Sequence, residues 1–169
     1  DFDKMLIAVL LSQYRKIVAK KYRIVYFKPV LMFTSNSIKV STARYLRSNC
    51  LIDNLNVEDL RKFIDKNLNT TSKTMQRVYS YYKNGDLAHI ITNIKRDFSK
   101  ERVINVNDST NGILEDKAFT HTLNSLEDNE NPFRVIFAVA KLSEGWDVLN
   151  LYDIVRISEQ AKSSSAATM

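Results

Sequence analysis

Ser143, Glu144, Gly145, Trp146 and Asp147 form a polar turn between two apolar stretches, FRVIFAVA and VLNLYDIVRIS, and their types suit a ligand site. Glycine is scarce, three in 169 residues, so Gly145 inside a polar loop answers a backbone need: without a Cβ it can take positive φ or let a ligand approach the main chain. Asp147, two residues on, can accept hydrogen bonds from hydroxyl groups such as those of a ribose. A second polar cluster, Thr34, Ser35, Asn36 and Ser37, follows the apolar run Val30 to Phe33. Hydroxyls and main-chain N–H groups there could take a phosphate at a helix N-terminus. Each residue also has a plainer role: Thr34, Ser35 and Asn36 as helix caps, Glu144 and Asp147 as loop charges, Trp146 as packing.

The elements that must position these residues alternate. Apolar residues at Leu6, Val9, Leu10, Tyr14, Ile17 and Val18 predict a helix from Phe2 to about Tyr22, which Pro29 prevents from continuing. Val30 to Phe33 reads as a parallel strand covered on both faces, and the polar cluster caps a helix through roughly Arg47. Asn56, then Thr71 or Ser72, then Asp86 can cap three consecutive helices, with Gly85 closing the second. Residues 56–100 are therefore expected as a helical insertion. Arg102 to Val106 reads as a strand, Ile113 to about Leu126 as a helix, and Pro132 marks the start of another strand. Such alternation predicts an α/β fold, a mainly parallel sheet flanked by helices, with ligands beyond the carboxyl ends of the strands.

The strand, EGWD turn, strand order resembles motif V of the superfamily-two helicases. AVAKLSEGWDVLNLYDIVRISE, residues 138 to 159, is similar to the Res subunit of type III restriction enzymes, and KPVLMFTSNSIKVSTARYL, residues 28 to 46, resembles motif IV. The resemblance implies that residues 1–169 are a single RecA-like domain, the second motor domain of an ATP-dependent DNA translocase or helicase. It further implies that Gly145 and Asp147 belong to the ATP cleft, and that Thr34, Ser35, Asn36 and Ser143 contact nucleic acid. Ala140 departs from the pattern, since relatives carry Asn or Asp there, and it is given no role. The implied cofactors of the intact parent are ATP and Mg2+, the metal being held by the first RecA-like domain. The implied partners are double-stranded DNA, that first domain and a modification methyltransferase subunit.

No G-x-x-x-x-G-K-[ST] phosphate loop is present, so the chain is expected not to hydrolyse ATP alone. The Gly-Arg pair of the family's motif VI is also missing after Ser158. The expectation is a fragment, with no catalytic residue of its own; Arg156, expected within a strand, is not read as an arginine finger. Two histidines and one cysteine, Cys50, offer no metal-ligand spacing and no internal disulfide. No apolar stretch reaches membrane-spanning length, and the cytoplasm is the expected compartment.

The net charge of +6 is uneven: residues 1–47 hold ten Lys and Arg against Asp1 and Asp3, a balance of +8, leaving −2 elsewhere. That asymmetry suits a polyanion, and a solvated helix face gives the same count. The alternative to a motor domain is a non-catalytic Rossmann-like module that binds nucleic acid or protein.

Overall fold

The computed structural model describes residues 2–106, 117–139 and 150–157, with the backbone alone at 117–120. Its order is α1 (Phe2–Lys21), β1 (Val30–Ser35), α2 (Ile38–Asn54), α3 (Val57–Asn67), α4 (Lys73–Lys83), α5 (Leu87–Asp97), a 3-10 turn (Lys100–Arg102), β2 (Val103–Asn105), α6 (Lys117–Asn124), β3 (Val135–Val139) and β4 (Leu151–Arg156). The four strands form one all-parallel sheet in the order β2-β3-β1-β4. The α/β class read from the sequence is the one observed.

Strand periodicity explains why the first four residues of β1, Val30 to Phe33, are all apolar. Leu31 and Phe33 share one face with Val135 and Phe137 and join the core formed with α1 to α5. Val30 and Met32 face the other way, with Ile136 and Ala138, onto Leu123 and Leu126. Both faces are covered, so polar alternation along β1 would bury polar groups in one of the two cores. Phe33 and Phe137 stack with ring centroids 5.0 Å apart, and burying each ring contributes roughly 1.5–3 kcal/mol.

The three expected helices are capped by Asn56, Ser72 and Asp86, whose side chains accept main-chain N–H groups. Their apolar faces are continuous with the core that α1 shares with the sheet, and the buried Tyr82 hydroxyl donates to the Leu10 carbonyl at 2.8 Å. Burial pushes the Tyr82 phenol up, so it stays a neutral donor. Helix α2 runs to Asn54 rather than Arg47. Its polar SNC stretch contains no breaker, and the buried Leu51 and Ile52 keep the helical face facing the core.

Sequence reading missed the polar centre of the fold. Arg134, 1% exposed, donates from Nε to the Pro29 carbonyl at 2.9 Å and from Nη2 to Ser12 Oγ at 3.0 Å. Its guanidinium lies 4.8 Å from the Phe98 ring centroid and its Nη1 is 3.6 Å from Asp97 Oδ2. Asp97 also accepts from Lys16 at 2.6 Å and Gln13 at 3.1 Å. Burial pulls the Arg134 guanidinium down to about 10 despite Asp97, so it remains charged at neutral pH. Burial alone would push the Asp97 carboxyl up, but Lys16, Gln13 and Arg134 outweigh it and hold the carboxyl below its ordinary value.

Helix α1 ends in a Schellman motif: Ile24 N–H donates to the Ala19 carbonyl and Arg23 N–H to the Lys20 carbonyl. Arg23 occupies the left-handed position that usually falls to glycine, with φ of 58°, and Tyr26 follows at 64°. A left-handed L-residue costs roughly 1–2 kcal/mol.

Asp97→Ala, which leaves Arg134 buried without its carboxylate, is expected to cost about 3–5 kcal/mol, seen as a lower urea midpoint. Because the folded Asp97 value is depressed, its contribution is complete above the unfolded value of about 3.9 and is lost as pH falls through the lower folded one. Asp97→Asn should therefore flatten the fall in urea midpoint below pH 4. Arg23→Gly is expected to raise stability by about 0.5–1 kcal/mol, the left-handed cost less the chain entropy of glycine, readable in the same assay.

Candidate functional site

The register places Thr34 beside Ala138 and Ser35 beside Val139, so β1 and β3 end side by side at the carboxyl edge. From β1 the chain passes to β2 on one flank, and from β3 it passes to β4 on the other. Neighbouring strands whose connections run in opposite directions in this way make a topological switch point, where α/β sheets hold ligands. The two polar segments singled out in the sequence therefore leave the sheet from adjacent strands.

Thr34 and Ser35 are the last two residues of β1, 6% and 3% exposed; they were expected in the loop. The Thr34 carbonyl takes the Ile157 N–H at 2.8 Å, which ties the end of β4 to this edge. Ser35 Oγ donates to the Ser37 carbonyl at 3.0 Å and so shapes the turn. Of the four polar residues it is Ser37 that caps α2, with extended backbone and Oγ accepting the Val40 N–H at 3.3 Å. Asn36 is exposed between strand and cap, and Lys39 is exposed in the first turn of α2. The free N–H groups of that turn, which contains no acidic side chain, present partial positive charge to the solvent at this edge.

Arg156, which sequence reading set aside, is the register partner of Thr34 on β4 and is exposed. At the end of β2, Asn105 donates from Nδ2 to Thr42 Oγ1 at 3.3 Å, fixing α2 against the sheet. Ser143, Gly145 and Asp147, with Glu144 and Trp146, lie outside the described residues. What is established for them is where the chain departs, at Val139, and where it returns, at Asn150, whose Nδ2 donates to the Leu126 carbonyl at 2.6 Å.

Among the described residues no group of three His, Cys, Asp or Glu could hold a metal ion, and no helix is long and apolar enough to cross a membrane. A cavity of about 900 Å3 lies elsewhere, between α1, α2 and α3, lined by residues such as Met5, Arg44, Cys50 and Phe63. None of the described candidate residues, Thr34, Ser35 and Asn36, lines it. The geometry of the carboxyl edge, by contrast, suits phosphate: an exposed amide, main-chain N–H groups and cations around a turn braced by the buried Ser35 hydroxyl.

Comparison with known proteins extends the resemblance well beyond two motifs. A Haemophilus influenzae protein named Probable type III restriction-modification enzyme HindVIP Res subunit is 36% identical over 171 residues, and the match takes in 93% of this chain. The chain is homologous to part of a Res subunit. A match of that extent leaves only about a dozen of the 169 residues outside it, so β1, the helices α2 to α5 and β3 lie within the shared region. The chain spans 33% of the length of this Res subunit. No protein-family profile matches the chain, and no solved structure matches it.

Ser37→Ala removes the α2 cap and is expected to cost about 1 kcal/mol, measured by thermal or urea unfolding. A cost within error of zero would mean that the turn is held by Ser35 alone.

Proposed function

We propose that this chain is the second, RecA-like motor domain of an ATP-dependent DNA translocase or helicase of a restriction-modification system, with residues 56–100 as a helical insertion in it. The observation that carries the reading is the 36% identity to a Res subunit across 93% of the chain. The adjacent carboxyl ends of β1 and β3 agree with it, since one wall of a nucleotide cleft and a nucleic-acid track then leave the same edge.

On this reading Gly145 and Asp147 belong to the ATP cleft, where Gly145 gives the main chain its close approach and Asp147 accepts from the ribose or closes the cleft network. Ser143 links cleft and track. Asn36, exposed beside the N–H groups of α2, takes a backbone phosphate directly. Thr34 and Ser35, buried at the strand end, contribute to the same track by holding the turn that presents Asn36. ATP and Mg2+ act in the intact parent, whose first RecA-like domain supplies the phosphate loop and the acidic metal ligands. Double-stranded DNA and a modification methyltransferase subunit are the proposed partners, in the cytoplasm.

Asp147→Ala in the full-length parent is expected to lower DNA-stimulated ATP turnover tenfold or more, about 1.4 kcal/mol or more of transition-state stabilisation. Turnover equal to that of the unmodified parent would remove Asp147 from the cleft.

A further inference from the structure

The segment joining α1 to β1 sits at the opposite, amino edge of the sheet. Tyr22 is 72% exposed and Tyr26 77%, with Ile24 and Val25 exposed between them. Neither tyrosine makes a ring contact or side-chain hydrogen bond among the described residues, whereas Phe27, next in sequence, packs edge-on against Tyr152 at 4.9 Å. The cations of this region divide in the same way. Arg15 pairs with Asp153, Lys16 with Asp97, and Lys28 donates to the carbonyls of Asp128 and Asn131 at 2.7 and 2.6 Å. Lys20, Lys21 and Arg23 are exposed and form no ion pair among the described residues.

Two features of the backbone hold this display open. The Schellman turn fixes Arg23 directly after the helix, and the left-handed backbone at Arg23 and Tyr26 commits bulky side chains to positions where glycine would be cheaper. Lys28 and Phe27 then anchor the segment to the neighbouring loop and to β4. The result is a supported loop that exposes three cations and two tyrosine rings, with Ile24 and Val25 between the rings. Burial explains none of them.

We propose that Lys20 to Tyr26 is a second nucleic-acid contact, in which Tyr22 and Tyr26 stack on unpaired bases while Lys20, Lys21 and Arg23 take the flanking phosphates. The inference rests on the motor-domain reading and adds a surface distinct from the track at Asn36, on the far edge of the sheet. A strand of six residues, the length of β1, separates the two edges by about 17–20 Å. Rings without hydrogen-bond readout favour single-stranded, sequence-tolerant binding, because every base has a π-face. A regular duplex hides those faces, so the ligand is single-stranded DNA or RNA.

The test is fluorescence anisotropy of the full chain with a fluorescein-labelled 20-nucleotide single strand and the matching duplex, at several salt concentrations. Tyr22→Ala/Tyr26→Ala is expected to weaken single-strand binding about tenfold or more, through the loss of base–aromatic stacking, and to leave the duplex affinity unchanged. Lys20→Gln/Lys21→Gln/Arg23→Gln should reduce the salt slope for the single strand by roughly 0.7 for each phosphate no longer neutralised. Circular dichroism of these exposed-site variants should match the parent. Single-strand affinity unchanged in the tyrosine variant overturns the proposal, as does loss of binding to phosphatidylserine vesicles with oligonucleotide affinity intact. Asn36→Ala/Lys39→Gln separates the two readings. Weaker duplex binding there, with the loop variants unchanged, rejects the loop and keeps the motor track; no binding of either oligonucleotide by the unmodified chain rejects both.

Discussion

The Arg134 guanidinium is where the fold is tied together. It bonds the carbonyl that precedes β1, a hydroxyl on α1 and, through charge, the carboxylate that ends α5, while lying over Phe98. Arg134 itself stands immediately before β3, so this contact aligns the starts of the two central strands and clamps the helical layer over them. Removing a charge of this kind from water is costly, and the attraction of Asp97 offsets that cost only because hydrogen bonds satisfy most of the group. The pair therefore specifies the arrangement of elements more than it adds to net stability: an apolar replacement of similar volume could be as stable, but loss of either partner alone could not be.

The candidate site depends on this clamp through the register it sets. With β1 and β3 aligned at the amino edge, their parallel ladder brings Ser35 and Val139 level at the carboxyl edge. The turn that follows is shaped from below by buried Ser35 and closed by the Ser37 cap. On the proposed reading, a backbone held by these bonds would let the exposed Asn36 and the helix N-terminus meet a phosphate without first ordering the loop, which is how a scaffold lowers the entropic cost of binding. β4 adds an exposed Arg156 level with Thr34.

Much of this was legible in the sequence because it rested on local chemistry. Asn56, Ser72 and Asp86 cap helices through their own side chains, and Val30 to Phe33 announced a doubly covered strand by lacking polar residues. What was not legible depended on tertiary context. Thr34 and Ser35 carry side chains typical of loops, yet strand pairing on both sides of β1 draws them into the ladder and buries them. Arg134 looked like an ordinary charge before a strand, since its partners Ser12 and Asp97 are more than a hundred and more than thirty positions away in sequence. The one local signal, a lone arginine between Phe133 and Val135 at the edge of a buried run, pointed to a burial that needed a carboxylate. The left-handed Arg23 was hidden for a related reason: its conformation follows from how α1 ends, and the residue type argues against it.

Photolabelling with 8-azido-ATP tests the central claim most directly, using the full-length parent bound to DNA. If the carboxyl edge forms one wall of the cleft, label should appear on the tryptic peptide from Leu142 to Arg156, which carries Gly145 and Asp147, together with label in the first motor domain. Label confined to the first motor domain, in a parent that still turns over ATP when DNA is added, would contradict it.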